Sequence, residues 1–133
     1  MHRLPARALS VAAVILMLVL VAACSGSSAG SAIQKPSAAK AVGMMGSLTV
    51  IDVRTPAEYA AGHIAGAQNI DVEAADFGSR IASLDTKAQY LVYCHSGRRS
   101  GIAATQMAAA GFTNVVDGGA MTDLVAAGAK TQP

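Results

Sequence analysis

The chain of 133 residues has no tryptophan, only 4% aromatic residues and only 14% charged ones. Without large rings the interior must be assembled from Val, Ile, Leu, Met and closely packed Ala, which suits helices lying tightly on a sheet. Cysteine is nearly absent too. Cys24 and Cys94 exclude a disulfide framework and allow at most one bridge, which would consume both thiols and is incompatible with a thioether on Cys24. Strong charge of either sign is also missing. Ten Lys and Arg face eight acids, and Arg3 and Arg7 lie in a leader that reads as removable, leaving eight against eight. A neutral chain of this kind argues against nucleic acid as a partner. The length allows one small domain.

What is present begins with an address. His2, Arg3 and Arg7 precede an apolar run from Ala8 to Ala23 broken only by Ser10. This is the charged start and apolar middle of a secretory signal, shorter than a spanning helix needs. Its close, Leu20-Val21-Ala22-Ala23-Cys24, resembles the bacterial lipobox. That resemblance implies a lipoprotein signal peptide over residues 1–23 and acyl chains such as palmitate on Cys24. It further implies a protein anchored to the cell membrane on the extracytoplasmic side. Several acyl chains anchor firmly where one binds only marginally. An ordinary cleaved signal and an uncleaved anchor are the alternatives, and the mass of the mature chain separates them. Residues 24–46 are dominated by small and polar side chains and read as a flexible tether, with a short helix conceivable around Ala38 to Met45.

The domain, taken as residues 47–130, alternates strand and helix. Leu48 to Val53 is short, apolar and β-branched, as a buried parallel strand requires. Thr55-Pro56-Ala57-Glu58 supplies an N-cap, a proline at the first helical position and the acid of a capping box. A strand is expected at Asn69 to Val72, a helix from Ala75 to Leu84 and a strand at Gln89 to Tyr93. A helix from Ser100 to Ala110, stopped by Gly111, comes next. Asn114 to Asp117 reads as a last strand, followed by a Gly118-Gly119 turn and a helix from Met121 to Ala127. Such alternation implies crossover connections and an α/β sandwich around a parallel sheet, with ligands bound beyond the carboxyl ends of strands.

Cys94-His95-Ser96-Gly97-Arg98-Arg99 occupies such an end, between a buried strand and a helix start. Unpaired amides and the positive end of the helix dipole favour a thiolate there over a thiol. Gly97 lets the loop bend back, Ser96 offers a hydroxyl, and His95, Arg98 and Arg99 add positive character, so the segment reads as an anion cradle. The competing reading is a buried structural Cys before an ordinary basic helix start.

The segment from Asp52 to Ile70, DVRTPAEYAAGHIAGAQNI, is similar over its full length to the first signature of the rhodanese family. The loop Cys94 to Arg99, with Ser100 after it, resembles that family's active-site loop, and Gly118-Gly119 with Met121 resembles its closing motif. Together these cover Leu48 to Gly128. The resemblance implies a rhodanese-like three-layer sandwich, with Cys94 as the sulfur-accepting nucleophile and no metal or organic cofactor. It also implies that Asp52 and Arg54 form a structural charged pair below the loop. His63, between glycines, reads as a hydrogen-bonded structural residue rather than a base. Two departures stand out. The family's closing motif often carries a Trp where this chain has Asp123 or Leu124. Its usual first strand and helix are not found in Ala38 to Gly46, so the domain is expected to be trimmed at that edge.

The expected chemistry is transfer of sulfane sulfur from a small anionic, thiosulfate-like donor through a Cys94 persulfide. The acceptor is a thiol, a cyanide-like nucleophile or another protein. The cationic loop favours an anion over a neutral polysulfide, with Arg99 bonding loop carbonyls or meeting the donor's charge and Arg98 facing outward. A carrier or sensing module that holds sulfur without turnover is the alternative from another class. Cysteine phosphatases and arsenate reductases are the rival enzymes, but the phosphatase pattern needs Arg six positions after the Cys, where Ser100 stands.

Overall fold

The computed structural model of the protein describes residues 31–133. Its elements run β1 (Ile33–Gln34), α1 (Ala38–Met44), β2 (Thr49–Asp52), α2 (Pro56–Ala60), β3 (His63–Ile64), β4 (Gln68–Asn69) and α3 (Phe77–Ala82). They continue with β5 (Tyr90–Cys94), α4 (Arg98–Ala109), β6 (Val115–Ala120), α5 (Met121–Ala126) and β7 (Thr131–Gln132). Five strands form one sheet in the order β1-β6-β5-β2-β4, and every neighbouring pair is parallel. β3 and β7 pair antiparallel in a separate ribbon.

β5 is buried at every position, as a central strand covered on both faces must be. Side-chain alternation divides its residues between two cores. Tyr90, Val92 and Cys94 pack with Phe77 and Ile81 of α3 and Ala103, Ala104 and Met107 of α4. Leu91 points to the other face, where Ala41 of α1, Val116 and Leu124 of α5 close the second core. The result is an α/β sandwich of three layers with a central parallel sheet.

Three expectations need correction. The segment assigned to a tether through Gly46 enters the fold at Ile33: β1 pairs with β6, and α1 is capped by Ser37, whose hydroxyl accepts from the Lys40 amide. The first strand and helix are therefore present. Local composition hid them because α1 depends on tertiary contact: Ala41 is fully buried, and Val42, Met44 and Met45 lie against the second core. Residues 24–30 of the assigned tether, and Cys24 with them, lie outside the described residues, as does the leader at 1–23.

Gly118 and Gly119 do not form a turn but lie inside β6, where the register against β5 shifts between Val92 and Tyr93. A β-carbon on Gly118 would stand 2.8 Å from Leu91 Cδ2 and 3.1 Å from the Val92 carbonyl oxygen. Gly119 takes up the irregularity at φ +77°, a conformation open to glycine.

The second strand, expected at Asn69 to Val72, is regular only at Gln68–Asn69. Beyond it, the Ile70 and Val72 amides still donate to the Asp52 and Val53 carbonyls. The β3–β7 ribbon was not anticipated, and β7 lies just past the assigned end at residue 130.

Candidate active site

β5 delivers Cys94 to the carboxyl edge of the sheet, and α4 starts four residues later. The thiol is free and fully buried. Its Sγ accepts a hydrogen bond from the Gly97 amide at 3.0 Å. Gly97 is the N-cap of α4 and sits at φ +91°, which folds the loop back over the sulfur. A β-carbon there would also approach the backbone of Gly119 and Ala120 to 3.7 Å, so the loop rests on the irregular stretch of β6. The Ser100 hydroxyl, rather than that of Ser96, fastens the loop, donating to the Gly97 carbonyl at 3.0 Å. His95 and Ser96 are exposed at the rim.

The arginines do not meet at the sulfur. Arg99 makes a two-pronged bond to Glu58 of α2, Nη1 to Oε2 at 2.7 Å and Nη2 to Oε1 at 2.8 Å. This geometry joins orientation to strength. The pairing raises the Arg99 guanidinium above its ordinary range. It lowers the Glu58 carboxyl from 4.5 to about 2, the Arg99 bond being the largest cause. Arg98 faces outward with a distant contact to Glu73 at 3.9 Å, and Glu73 also lies 3.5 Å from Arg99. Two carboxylates therefore stand against the two guanidiniums, and the cationic charge expected of the loop is met from within the protein.

Below the loop, Asp52 and Arg54 form a buried pair. Arg54 donates from Nε to both Asp52 oxygens at 3.0 Å, from its backbone amide at 2.9 Å, and from Nη2 to the Gly62 carbonyl at 2.7 Å. The Asp52 bond raises the Arg54 guanidinium against the opposing effect of burial. Tyr93 completes the group: its hydroxyl donates to Asp52 Oδ2 at 2.8 Å and accepts from the Ile64 amide at 2.9 Å. Burial pushes that hydroxyl's pKa up, so it remains a donor.

His63 stacks on Tyr59 with ring centroids 3.6 Å apart, and its ring nitrogens face the Tyr59 carbonyl and Gln132. This is a packed and hydrogen-bonded setting. A cavity of about 460 Å³ between Ala61, Gly62, Met121 and Thr131 to Pro133 shares no lining residue with the core around Cys94.

Tyr93, Glu58 and Glu73 are the site residues that sequence reasoning missed. Glu58 had a local signal as a capping acid, but its reach to Arg99, 41 positions away, is a product of the fold. Nothing local marks Tyr93 or Glu73.

A parallel sandwich presenting one enclosed thiol at a strand-to-helix junction, under a glycine-hinged loop, defines a class of single-cysteine α/β domains. The model of the rhodanese-like domain family matches residues 36–121, and the chain belongs to that family. Among curated relatives, the thiosulfate sulfurtransferase GlpE of Pseudomonas entomophila is 45% identical over 73 residues, covering 53% of this chain and 64% of that protein. The protein of the same name from Pseudomonas fluorescens is 44% identical over the same coverage. The chain thus spans just under two thirds of the length of these relatives.

Among solved structures, the rhodanese-like domain of an Anabaena protein superposes with a TM-score of 0.65 at 27% identity, covering 74% of this chain and 77% of that one. An Escherichia coli rhodanese solved with anions gives a TM-score of 0.54 at 31% identity, covering 63% and 95%.

Proposed function

We propose that the protein is a sulfurtransferase in which Cys94 carries sulfane sulfur from a thiosulfate-like donor to a nucleophilic acceptor. The observation that carries the reading is the enclosed Cys94 sulfur with the Gly97 amide directed at it from 3.0 Å, at the N-terminus of the twelve-residue α4. Main-chain donors aimed at a sulfur stabilise negative charge on it without having to reorganise. The names of the Pseudomonas relatives, and the anions in the E. coli structure, support the choice of donor class.

In the first half-reaction the Cys94 thiolate attacks the outer sulfur of thiosulfate. A new S–S bond forms, the old one breaks, and sulfite leaves with its electron pair. In the second, a thiolate or cyanide attacks the terminal sulfur of the persulfide, and Cys94 departs as the thiolate. No external oxidant or reductant is needed. In this reading His95 and Ser96, exposed next to Cys94 in the chain, and Gly97 receive the donor, and Arg98 and Arg99 supply positive charge on the same loop. The acceptor is a small thiol, a cyanide-like anion or a partner protein bearing such a group.

A second reading, a carrier that holds sulfur without turnover, is favoured by the complete burial of Cys94. We also propose that Cys24 is lipidated and anchors the domain on the extracytoplasmic side of the cell membrane. Support for this is the lipobox-like close of the leader.

Intact mass spectrometry of membrane-extracted protein, with and without thiosulfate, tests these readings together. The expected result is acyl mass on Cys24 and one added sulfur on Cys94, absent in Cys94→Ser. Sulfur uptake that survives in Cys94→Ser would remove the nucleophile assignment. Steady-state formation of thiocyanate from thiosulfate and cyanide marks an enzyme, whereas stoichiometric uptake alone marks a carrier.

A further inference from the structure

The charges around the loop divide into a tight pair and a loose one. Arg99 is 15% exposed and gripped by both oxygens of Glu58. Glu73, on the segment between β4 and α3, is 53% exposed. Its oxygens stand 3.9 Å from Arg98 Nη2 and 3.5 Å from Arg99 Nη1. One carboxylate thus straddles both guanidiniums of the loop from the solvent side, at distances too long for firm charge-assisted hydrogen bonds.

We propose that Glu73 is a specificity-determining residue, an exchangeable internal counter-ion that an anionic sulfur donor must displace to engage the two arginines of the Cys94 loop. The inference rests on the sulfur-transfer reading and deepens it by addressing donor charge. With Glu73 ionised, a doubly charged donor such as thiosulfate must exchange with that carboxylate and gains less from the loop's cations than it would without it, while a weakly charged sulfane donor is unaffected. Selectivity is a difference between two affinities, and a like charge at the mouth acts on only one of them. Glu58 cannot play this part. Its carboxylate is committed to Arg99 and to the backbone and hydroxyl of Thr55.

The test compares Glu73→Gln with the charge-retaining Glu73→Asp in the full chain. Iodoacetate and iodoacetamide share a leaving group and differ in charge, so the ratio of their alkylation rates on the Cys94 peptide reports the potential at the sulfur. In Glu73→Gln the ratio should rise about two- to fivefold at low salt, the size of an exposed ion pair's effect. The gain should vanish near 1 M salt, where screening acts within about 3 Å. The thiosulfate concentration giving half-maximal persulfide should fall by a similar factor. Glu73→Asp should track the wild type.

An unchanged ratio in Glu73→Gln, or an equal rise in Glu73→Asp, overturns the counter-ion role. If the ratio moves as expected yet thiosulfate leaves no sulfur on Cys94, the charge role stands and the sulfur-transfer reading is what fails.

Discussion

Tyr93 precedes Cys94 by one position and, by strand alternation, points into the opposite core. Its hydroxyl ties the Asp52–Arg54 pair to the β3 backbone at Ile64, and its ring lies 5.8 Å from the Arg54 guanidinium. Tyr93→Phe keeps the ring but leaves the buried Ile64 amide without an acceptor and removes a donor from Asp52. The expected loss is about 1–3 kcal/mol, the usual cost of an unpaired buried polar group, read as a lowered midpoint in urea unfolding. Sulfur uptake per folded molecule should fall much less than stability, because Tyr93 does not touch the sulfur. A loss of uptake at full stability would mean that Tyr93 acts on the loop directly.

At the scale of the element, α2 shows how a short helix is made useful. Five residues are too few to hold a helix alone. Thr55 caps it by accepting from the Glu58 amide at 3.3 Å, and the Glu58 carboxylate returns to the Thr55 amide at 3.0 Å. The same carboxylate then holds Arg99, so the cap of one helix fixes the first turn of another.

The pH dependence follows from the lowered Glu58 pKa. A carboxyl whose folded pKa is about 2 against an ordinary 4.5 contributes stability that is fully present above 4.5. That contribution is lost as pH falls from there toward 2. Glu58→Gln should therefore be less stable than wild type at neutral pH and converge with it in acid across that window. Acid titration of both proteins by circular dichroism is the check, and parallel curves would separate Glu58 from the acid transition. Sulfur uptake should also drop in Glu58→Gln at neutral pH, since Arg99 then exchanges a charged two-oxygen partner for a single neutral acceptor and the distant Glu73.

Across the whole molecule, the parallel sheet is stable only when both faces are covered. The second face relies on α1 and α5, with Ala41 and Leu124 fully buried there. β1 guards the edge of β6, and Lys35 just after it reaches Asp117 of β6 at 3.4 Å. Removing residues 1–46 should therefore uncover Val116 and Leu124 and open the β6 edge, while removing residues 1–30 leaves those contacts in place. The shorter product is expected to unfold at lower denaturant and to aggregate more readily, as exposed strand edges do. Equal unfolding midpoints for the two truncations would show that β1 and α1 are dispensable.

Much of this was legible from local pattern. The largely apolar runs at Leu48 to Val53, rich in β-branched residues, and at Gln89 to Tyr93 identify interior strands, because strands covered on both faces carry near-continuous apolar side chains. Thr55, Pro56 and Glu58 announce a helix start, since caps are satisfied within one turn. The placement of Cys94 at a strand-to-helix junction follows from the same punctuation.

What the sequence determined by itself is therefore whatever neighbours along the chain decide: periodicity, caps, and the position of the thiol. The tertiary structure alone decided the rest. β1 and α1 exist because β6 and α5 receive them, position 118 in β6 takes glycine because Leu91 and Val92 come too close for a side chain, and Arg99 faces Glu58 and Glu73 rather than the sulfur. Those outcomes depend on contacts between residues far apart in sequence, whose free energy appears only once the chain has closed on itself.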